Sequence, residues 1–153
     1  MTRLLLERLV ADADEMHEIG VKLAGVLRAG DILVLTGPLG AGKTTLSRGI
    51  GEGLGAVGTV SSPTFVIART HKTESGPDLV HVDAYRLGGP HELDDLDIDF
   101  AKSISLIEWG RGFTDGLAES WLDIEIERDH TGASEVRTLR IIGEGPRWNG
   151  VSL

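Results

Sequence analysis

The octapeptide GPLGAGKT at residues 37–44 constrains the fold of this chain more than any other stretch. It matches the pattern G-x-x-x-x-G-K-[ST] in full, and its surroundings match as well. The apolar run ILVL at 32–35 predicts a buried strand before it, and a helical pattern follows from Thr45 to about Leu54. A strand, a glycine loop and a helix in this order form the unit that binds the phosphates of a nucleotide.

The residue types in this loop suit a polyphosphate. Glycines let the backbone curl until successive N–H groups point inward, and the N-terminus of the following helix adds partial positive charge. Lys43 can reach the β- and γ-phosphates, and the Thr44 hydroxyl can bind Mg²⁺. Pro38 has no N–H and cannot join this group of donors. The alternative, a glycine-rich surface turn with a chance lysine, fits a complete motif between a strand and a helix poorly.

The composition limits the class of protein. With 153 residues, 41% hydrophobic and 25% charged, the chain predicts a single domain over 1–153. It has no cysteine, so neither disulfides nor cysteine-bound zinc can hold the fold. No apolar stretch reaches membrane-spanning length and no signal-peptide pattern opens the chain, so we expect a cytoplasmic protein without membrane contact. The net charge of −9 argues against unaided tight binding to nucleic acid.

Hydrophobic periodicity predicts an α/β fold, a P-loop NTPase-like mixed sheet flanked by helices, with an antiparallel C-terminal hairpin. A strand over 2–10 precedes a helix that starts at a capping box on Asp12 and ends at Gly30. The last two strands are expected to form the hairpin at a sheet edge, and residues 143–153 a loose tail. The other strands are predicted at 66–70, 79–85, 104–107, 121–127 and 136–142.

Two carboxylates, Asp83 and Glu108, close apolar strand runs. Because ligands sit at strand ends in open α/β sheets, either acid could hold Mg²⁺ or activate an attacking group. The alternative for each is a solvated strand terminus. The run before Glu108 is the more continuously apolar and indicates a central strand, whereas Asp83 shares its strand face with His81 and Tyr85. Thr64 stands in a Ser-Pro-Thr segment that fits a switch-like loop and a rigid turn equally well.

Four motifs in order carry a resemblance to a known family. They are GPLGAGKTT at 37–45, SPTF at 62–65, HVDAYRL at 81–87 and IEW at 107–109. Together they resemble the TsaE (YjeE) family, the ATPase component of bacterial tRNA threonylcarbamoyladenosine synthesis. The match runs from about residue 11 to residue 109, and GPRW at 145–148 is similar to some members.

The resemblance implies ATP and Mg²⁺ as cofactors, with weak hydrolysis to ADP. It also implies two partner proteins, TsaB and TsaD, which place threonylcarbamoyl on adenosine 37 of tRNA, so that this chain would meet tRNA only indirectly. Two departures affect the site loops: position 38 is Pro where the family usually has Asp, and Gly110-Arg111 replaces the usual Pro-Glu.

By position, the resemblance gives catalytic roles to Lys43, Thr64, Asp83 and Glu108. Thr44 and Glu108 would bind the metal, Asp83 would be a metal ligand or a supporting acid, and Thr64 would be the switch residue. The implied nucleotide-binding residues are Gly37, Leu39, Gly40, Ala41, Gly42, Lys43, Thr44, Thr45 and Trp109.

Two other functions use the same loop. A small-molecule or nucleoside kinase would transfer phosphate to a substrate, and a nucleotide-sensing module would bind with negligible turnover. No arginine-rich lid resembling that of a small-molecule kinase follows the loop helix. The only asparagine is Asn149, so the chain has no Asn-Lys-x-Asp guanine reader, and we expect ATP to be preferred to GTP.

Overall fold

The computed structural model describes residues 2–38, 42–58, 60, 68–84, 98–108, 118–128 and 135–153. These residues form a seven-stranded mixed sheet with two α-helices, in agreement with the α/β class predicted from the sequence. No helix among them is long and apolar enough to cross a membrane. The elements are β1 (Thr2–Val10), α1 (Ala13–Ala24), β2 (Ile32–Thr36), α2 (Lys43–Leu54), β3 (Ala68–His71), β4 (Asp78–Asp83), β5 (Ser103–Glu108), β6 (Trp121–Arg128), β7 (Arg137–Glu144) and a 3₁₀ turn (Pro146–Trp148).

The strand order is β1-β7-β6-β2-β5-β4-β3. Strand β2 pairs parallel with β5 on one side and with β6 on the other, and β4 continues the parallel set beyond β5. The remaining pairs are antiparallel. Strands β2 and β5 are buried along almost their whole length because both of their faces are covered, as is usual in a parallel core.

The C-terminal hairpin is present, but its predicted position at a sheet edge is wrong. Strand β6 pairs with β2, and β7 is covered by β1, which takes the edge. The alternation of buried and half-buried residues along β6 indicates a strand with one buried face. It does not reveal that the amino-terminal strand, more than a hundred residues away along the chain, returns to pair with β7.

Helix α1 begins as the sequence predicts and ends earlier. The Asp12 side chain accepts a hydrogen bond from the Glu15 N–H, and the Glu15 carboxylate in turn accepts from the Ala11 N–H. The helix ends at Ala24, whereas the sequence predicted Gly30 as the residue that follows the helix. Gly30 does have positive φ, but its N–H donates to Ser103, so it shapes the entry into β2 instead.

The two helices pack against each other at two glycines. A Cβ on Gly20 would lie 2.5 Å from the Leu46 carbonyl oxygen, and one on Gly49 would lie 2.1 Å from that of His17. Both glycines therefore permit a close backbone approach that any side chain would prevent. This contact holds the start of α2, which follows the phosphate loop, against the capped helix α1.

The hydrophobic core has two parts, one on each face of the sheet. The larger part joins α1 and α2 to residues of β2 and of β4–β7. The smaller part, on the other face, includes Val34, Val82 and Ile107, with Ile98 and Phe100 packed against it. Alternate residues of the parallel strands therefore point toward the helices or away from them.

The expectation of a loose tail over 143–153 is wrong for its first half. Strand β7 continues to Glu144, and the Trp148 ring is 1% exposed within the larger core. The backbone of Gly143 lies against Trp148, where a Cβ would come within 2.7 Å of the tryptophan side chain. Arg147 donates to the buried Asp31, 116 residues earlier in the chain. A buried aromatic ring and a partly buried ion pair thus fix this segment.

Candidate functional site

Three parallel strands end at one edge of the sheet, where the phosphate loop begins. In the strand register Leu35 is paired with Glu108, and Glu108 is paired with Asp83. The carboxyl ends of β2, β4 and β5 are therefore aligned, and both acids stand beside the strand that leads into the loop. Because β5 is paired with β2 on one side and with β4 on the other, the prediction that the strand ending at Glu108 is a central one is confirmed.

The start of α2 has the features of an anion-binding site. Its N-cap is Gly42, with φ of 114°, and no described side chain caps its free N–H groups. The first turn contains no acidic residue. Helix α1, of the same length, is instead closed by Asp12 and carries two acids in its first turn. The partial positive charge of α2 is thus left available to an anion, whereas that of α1 is neutralised internally.

Lys43 is a buried cation near the carboxyl ends of these strands. The residue is only 7% exposed. Its Nζ donates to the Gly37 carbonyl at 2.5 Å and to the Pro38 carbonyl at 3.4 Å. Burial lowers the pKa of Lys43, while the nearby carboxylates of Glu108 and Asp83 partly offset that effect. An ammonium group held by the Gly37 and Pro38 carbonyls at this desolvation cost is suited to pair with phosphate oxygens.

The two acids differ in depth. Glu108 is 3% exposed, and its Oε2 lies 3.2 Å from Nε2 of the fully buried His81. Asp83 is half-buried. The alternative that Glu108 is merely a solvated strand terminus is therefore wrong, because a buried carboxylate beside a buried ammonium is not exposed to bulk water.

The other predicted residues fall into two groups. Thr44 and Thr45 lie partly buried in the first turn of α2, and the Gly37 backbone is buried at the end of β2. Five predicted positions lie outside the described residues, so their roles stay predictions. They are Leu39, Gly40, Ala41, Thr64 and Trp109.

The residues at this edge fit a nucleotide-bound magnesium ion. No group of three or more His, Cys, Asp or Glu side chains among the described ranges could hold a metal ion by itself. Mg²⁺ needs fewer protein ligands, because it keeps several waters and takes phosphate oxygens, with one or two carboxylates from the protein. Thr44, Asp83 and Glu108, at the ends of adjacent elements, provide a donor set of that kind.

A small cleft of about 140 Å³ adjoins the start of α2 and was missed by sequence reasoning. It is bounded by the beginning of α1, by Gly42 and Thr45, by Glu135 just before β7 and by Arg137 at the start of β7. A second cavity, of about 400 Å³, lies between α1 and the β1–β7 pair, lined mainly by apolar side chains. The smaller cleft is the relevant one, because it continues from the phosphate loop. No local motif signals it, since three distant segments form it together.

Comparison with known proteins agrees with the motifs and the fold. The family model for threonylcarbamoyl adenosine biosynthesis protein TsaE matches residues 10–138. The tRNA threonylcarbamoyladenosine biosynthesis protein TsaE of Streptomyces coelicolor is 54% identical over 138 residues, covering 87% of this chain and 93% of the relative. Its Bacillus subtilis counterpart is 37% identical, covering 85% and 82%.

A solved structure gives the same result. The crystal structure of Bacillus subtilis YdiB superposes with a TM-score of 0.77 at 29% identity, covering 97% of this chain and 91% of that one. The family match spans most of the chain, and the superposed fold has the same P-loop-like α/β architecture. The chain therefore belongs to the TsaE family of tRNA threonylcarbamoyladenosine biosynthesis proteins.

Proposed function

We propose that this protein binds ATP in a Mg²⁺-dependent manner, hydrolyses it weakly, and serves as an accessory protein for threonylcarbamoylation of adenosine 37 in tRNA together with TsaB and TsaD. One observation carries the proposal. The buried Lys43 ammonium lies at the uncapped start of α2, beside the carboxylates of Glu108 and Asp83. This combination of a cation, free N–H donors and adjacent acids matches the requirements of a magnesium–nucleotide complex.

In this proposal the loop and the start of α2 bind the phosphates. The N–H groups at the start of α2 donate to phosphate oxygens, and Lys43 adds a full positive charge at the same place. The carbonyl groups of Gly37 and Pro38 hold the ammonium over the loop in advance. The cleft beside Gly42 and Thr45 is the place for the nucleoside part, because it opens directly from the phosphate site.

Thr44, Glu108 and Asp83 would hold Mg²⁺, whose charge neutralises the phosphates and polarises the bond to be broken. Glu108 is the more deeply buried acid and stands directly beside β2. We expect its carboxylate to bind the metal, or to orient the attacking water and accept its proton. Asp83, in the next strand and more open, supports the same region.

The charge of the protein favours an accessory role. A net charge of −9 repels a polyanion such as tRNA, so contact with tRNA would be made through the partners. Nucleotide binding and hydrolysis would then regulate an assembly of proteins and transfer no phosphate to a metabolite. A cytoplasmic location, where tRNA is modified, is part of the same proposal.

The test measures ADP formation by the purified protein alone, with TsaB and TsaD from the same organism, and with a panel of nucleosides. We expect slow hydrolysis alone, faster hydrolysis with the two proteins, and ATP-dependent retention of this chain on immobilised TsaB–TsaD. Lys43→Ala is the matched control and should abolish all three signals. Stimulation by a nucleoside with formation of a phosphorylated product would instead identify a kinase and overturn the proposal.

A further inference from the structure

His81 is a buried polar residue that the proposed reaction does not yet use. It lies on β4, where it is paired with Leu106 of β5, one pleat before the pairing of Asp83 with Glu108. Because side chains alternate along a strand, His81 points to the same face of the sheet as both acids. That face is also the one covered by α1 and α2, and His81 is 0% exposed within it.

The burial of an imidazole here needs a reason. The neighbouring positions on the same face, Leu79 and Leu106, are fully buried and apolar, so a leucine would suit the core at position 81. A buried ring nitrogen costs free energy unless it is hydrogen-bonded. Nδ1 has no hydrogen-bond partner within the part of the chain that the structure describes. The other ring nitrogen, Nε2, lies near the Glu108 carboxylate.

The Nε2 atom lies 3.2 Å from Oε2 of Glu108. The two atoms are close enough for a hydrogen bond, but the N–H direction does not meet the usual angular requirement in this arrangement. Hydrogen bonds around catalytic groups are often poorly aligned without substrate and tighten when substrate binds. The contact thus has the separation of a hydrogen bond, but its alignment in this arrangement is poor.

We propose that His81 is a positioning residue for Glu108: its Nε2–H donates to Oε2 and fixes the orientation of the carboxylate. The proposal rests on the function proposed above. Glu108 is also attracted by the Lys43 ammonium, as the effect of Glu108 on the Lys43 pKa shows. A donor on one carboxylate oxygen restrains Glu108 against that attraction and directs the other oxygen toward the phosphate site. His81 itself touches neither nucleotide nor metal.

The test compares two substitutions at this position. His81→Leu removes the donor and fills the space, so we expect turnover to fall about 10- to 100-fold while the affinity for ATP changes by less than about twofold. His81→Gln keeps an N–H donor near the position of Nε2 and should recover most of the turnover. Equal loss in both variants, or normal turnover in His81→Leu, would overturn the proposal.

Ser105→Ala is the matched control. Ser105 is fully buried in the adjacent strand β5, and its Oγ has no hydrogen-bond partner among the described residues, but it lies on the opposite face from His81. Its substitution removes a buried polar atom at similar depth and should leave turnover unchanged. A loss in Ser105→Ala equal to that in His81→Leu would show a general effect of core substitution and contradict a specific role of His81.

A second measurement does not depend on ATP hydrolysis, so it separates a failure of this proposal from a failure of the proposed function. Nitrogen NMR of ¹⁵N-labelled histidine should show His81 with its proton on Nε2, and Glu108→Gln should shift that signal. The other four histidines serve as internal references. Unchanged His81 nitrogen shifts in Glu108→Gln would show that the two side chains do not interact, even if the protein hydrolyses ATP.

Discussion

At its amino end, strand β2 begins beside a partly buried ion pair between Asp31 and Arg147, whereas its carboxyl end leads into the loop whose carbonyl groups hold the Lys43 ammonium. Both side chains of this ion pair make several hydrogen bonds. Arg147 Nε lies 3.0 Å from Asp31 Oδ1, and its Nη2 lies 3.1 Å from Oδ2. The Arg28 N–H also donates to Asp31, and the guanidinium lies 4.2 Å from the centre of the Trp148 ring.

The carboxyl end is built differently. Lys43 is held by loop carbonyl groups, burial lowers its pKa, and the helix that it opens has a glycine cap and no acid in its first turn. The amino end satisfies its charges within the chain, and the carboxyl end keeps positive charge and N–H donors for a ligand. We therefore expect substitutions at the amino end to affect stability, and those at the carboxyl end to affect binding and turnover.

The largest effect on binding is expected from Lys43→Ala. Loss of the charged donor to the phosphates should weaken ATP binding by about 100-fold or more, as measured by calorimetry. Lys43→Met keeps the apolar stem and should bind ATP equally poorly. Because burial disfavours the charged ammonium, we expect Lys43→Met to unfold at no lower temperature than the wild type. Unchanged ATP affinity in both variants would mean that the carboxyl end is not the phosphate site.

Glu108→Ala should abolish hydrolysis, with a loss of about 100-fold or more, and leave appreciable ATP binding. We expect the glycine loop and the start of α2 to supply most phosphate contacts, so the affinity for ATP should depend less on this acid. Asp83→Ala should reduce turnover less, because Asp83 is more open and one strand farther from β2. A near-normal rate for Glu108→Ala beside an inactive Asp83→Ala would reverse the two roles.

Arg147→Ala should act on stability alone. It leaves the buried Asp31 carboxylate without its cation and should lower the free energy of unfolding by about 3 kcal/mol. Arg140→Ala is the matched control, because Arg140 pairs with Glu7 on the exposed face of the sheet, and its loss should be far smaller. Denaturant unfolding measures both. A drop in the ATP affinity of the folded Arg147→Ala protein would contradict the assignment of stability to the amino end of β2 and of binding to its carboxyl end.

The smallest effect is expected from Thr44→Ala. The main-chain donors remain, so ATP affinity should change little, whereas the dependence of turnover on Mg²⁺ concentration should shift by about tenfold. Thr44→Ser retains the hydroxyl and should behave like the wild type. If the Mg²⁺ dependence of Thr44→Ala is intact, Thr44 does not bind the metal.

Local patterns predicted the carboxyl end well and the amino end poorly. The strand and the helix that flank residues 37–44, and the central position of the strand that ends at Glu108, could be predicted, because each depends on residues close in sequence. The Asp31–Arg147 pair could not, since it joins residues 116 apart. The cleft that includes Arg137 and the edge position of β1 also depend on long-range pairing.

The most direct test of the difference between the two ends of β2 is amide chemical-shift mapping by NMR while Mg·ATP is added to the wild-type protein. We expect large, saturable chemical-shift changes at the start of α2 and around Asp83 and Glu108. ADP should compete with them, and the shifts of Asp31 and Arg147 should change little. The absence of shifts in the folded protein, or shifts centred on the Asp31–Arg147 end, would contradict the assignment of the carboxyl end of β2 as the nucleotide site.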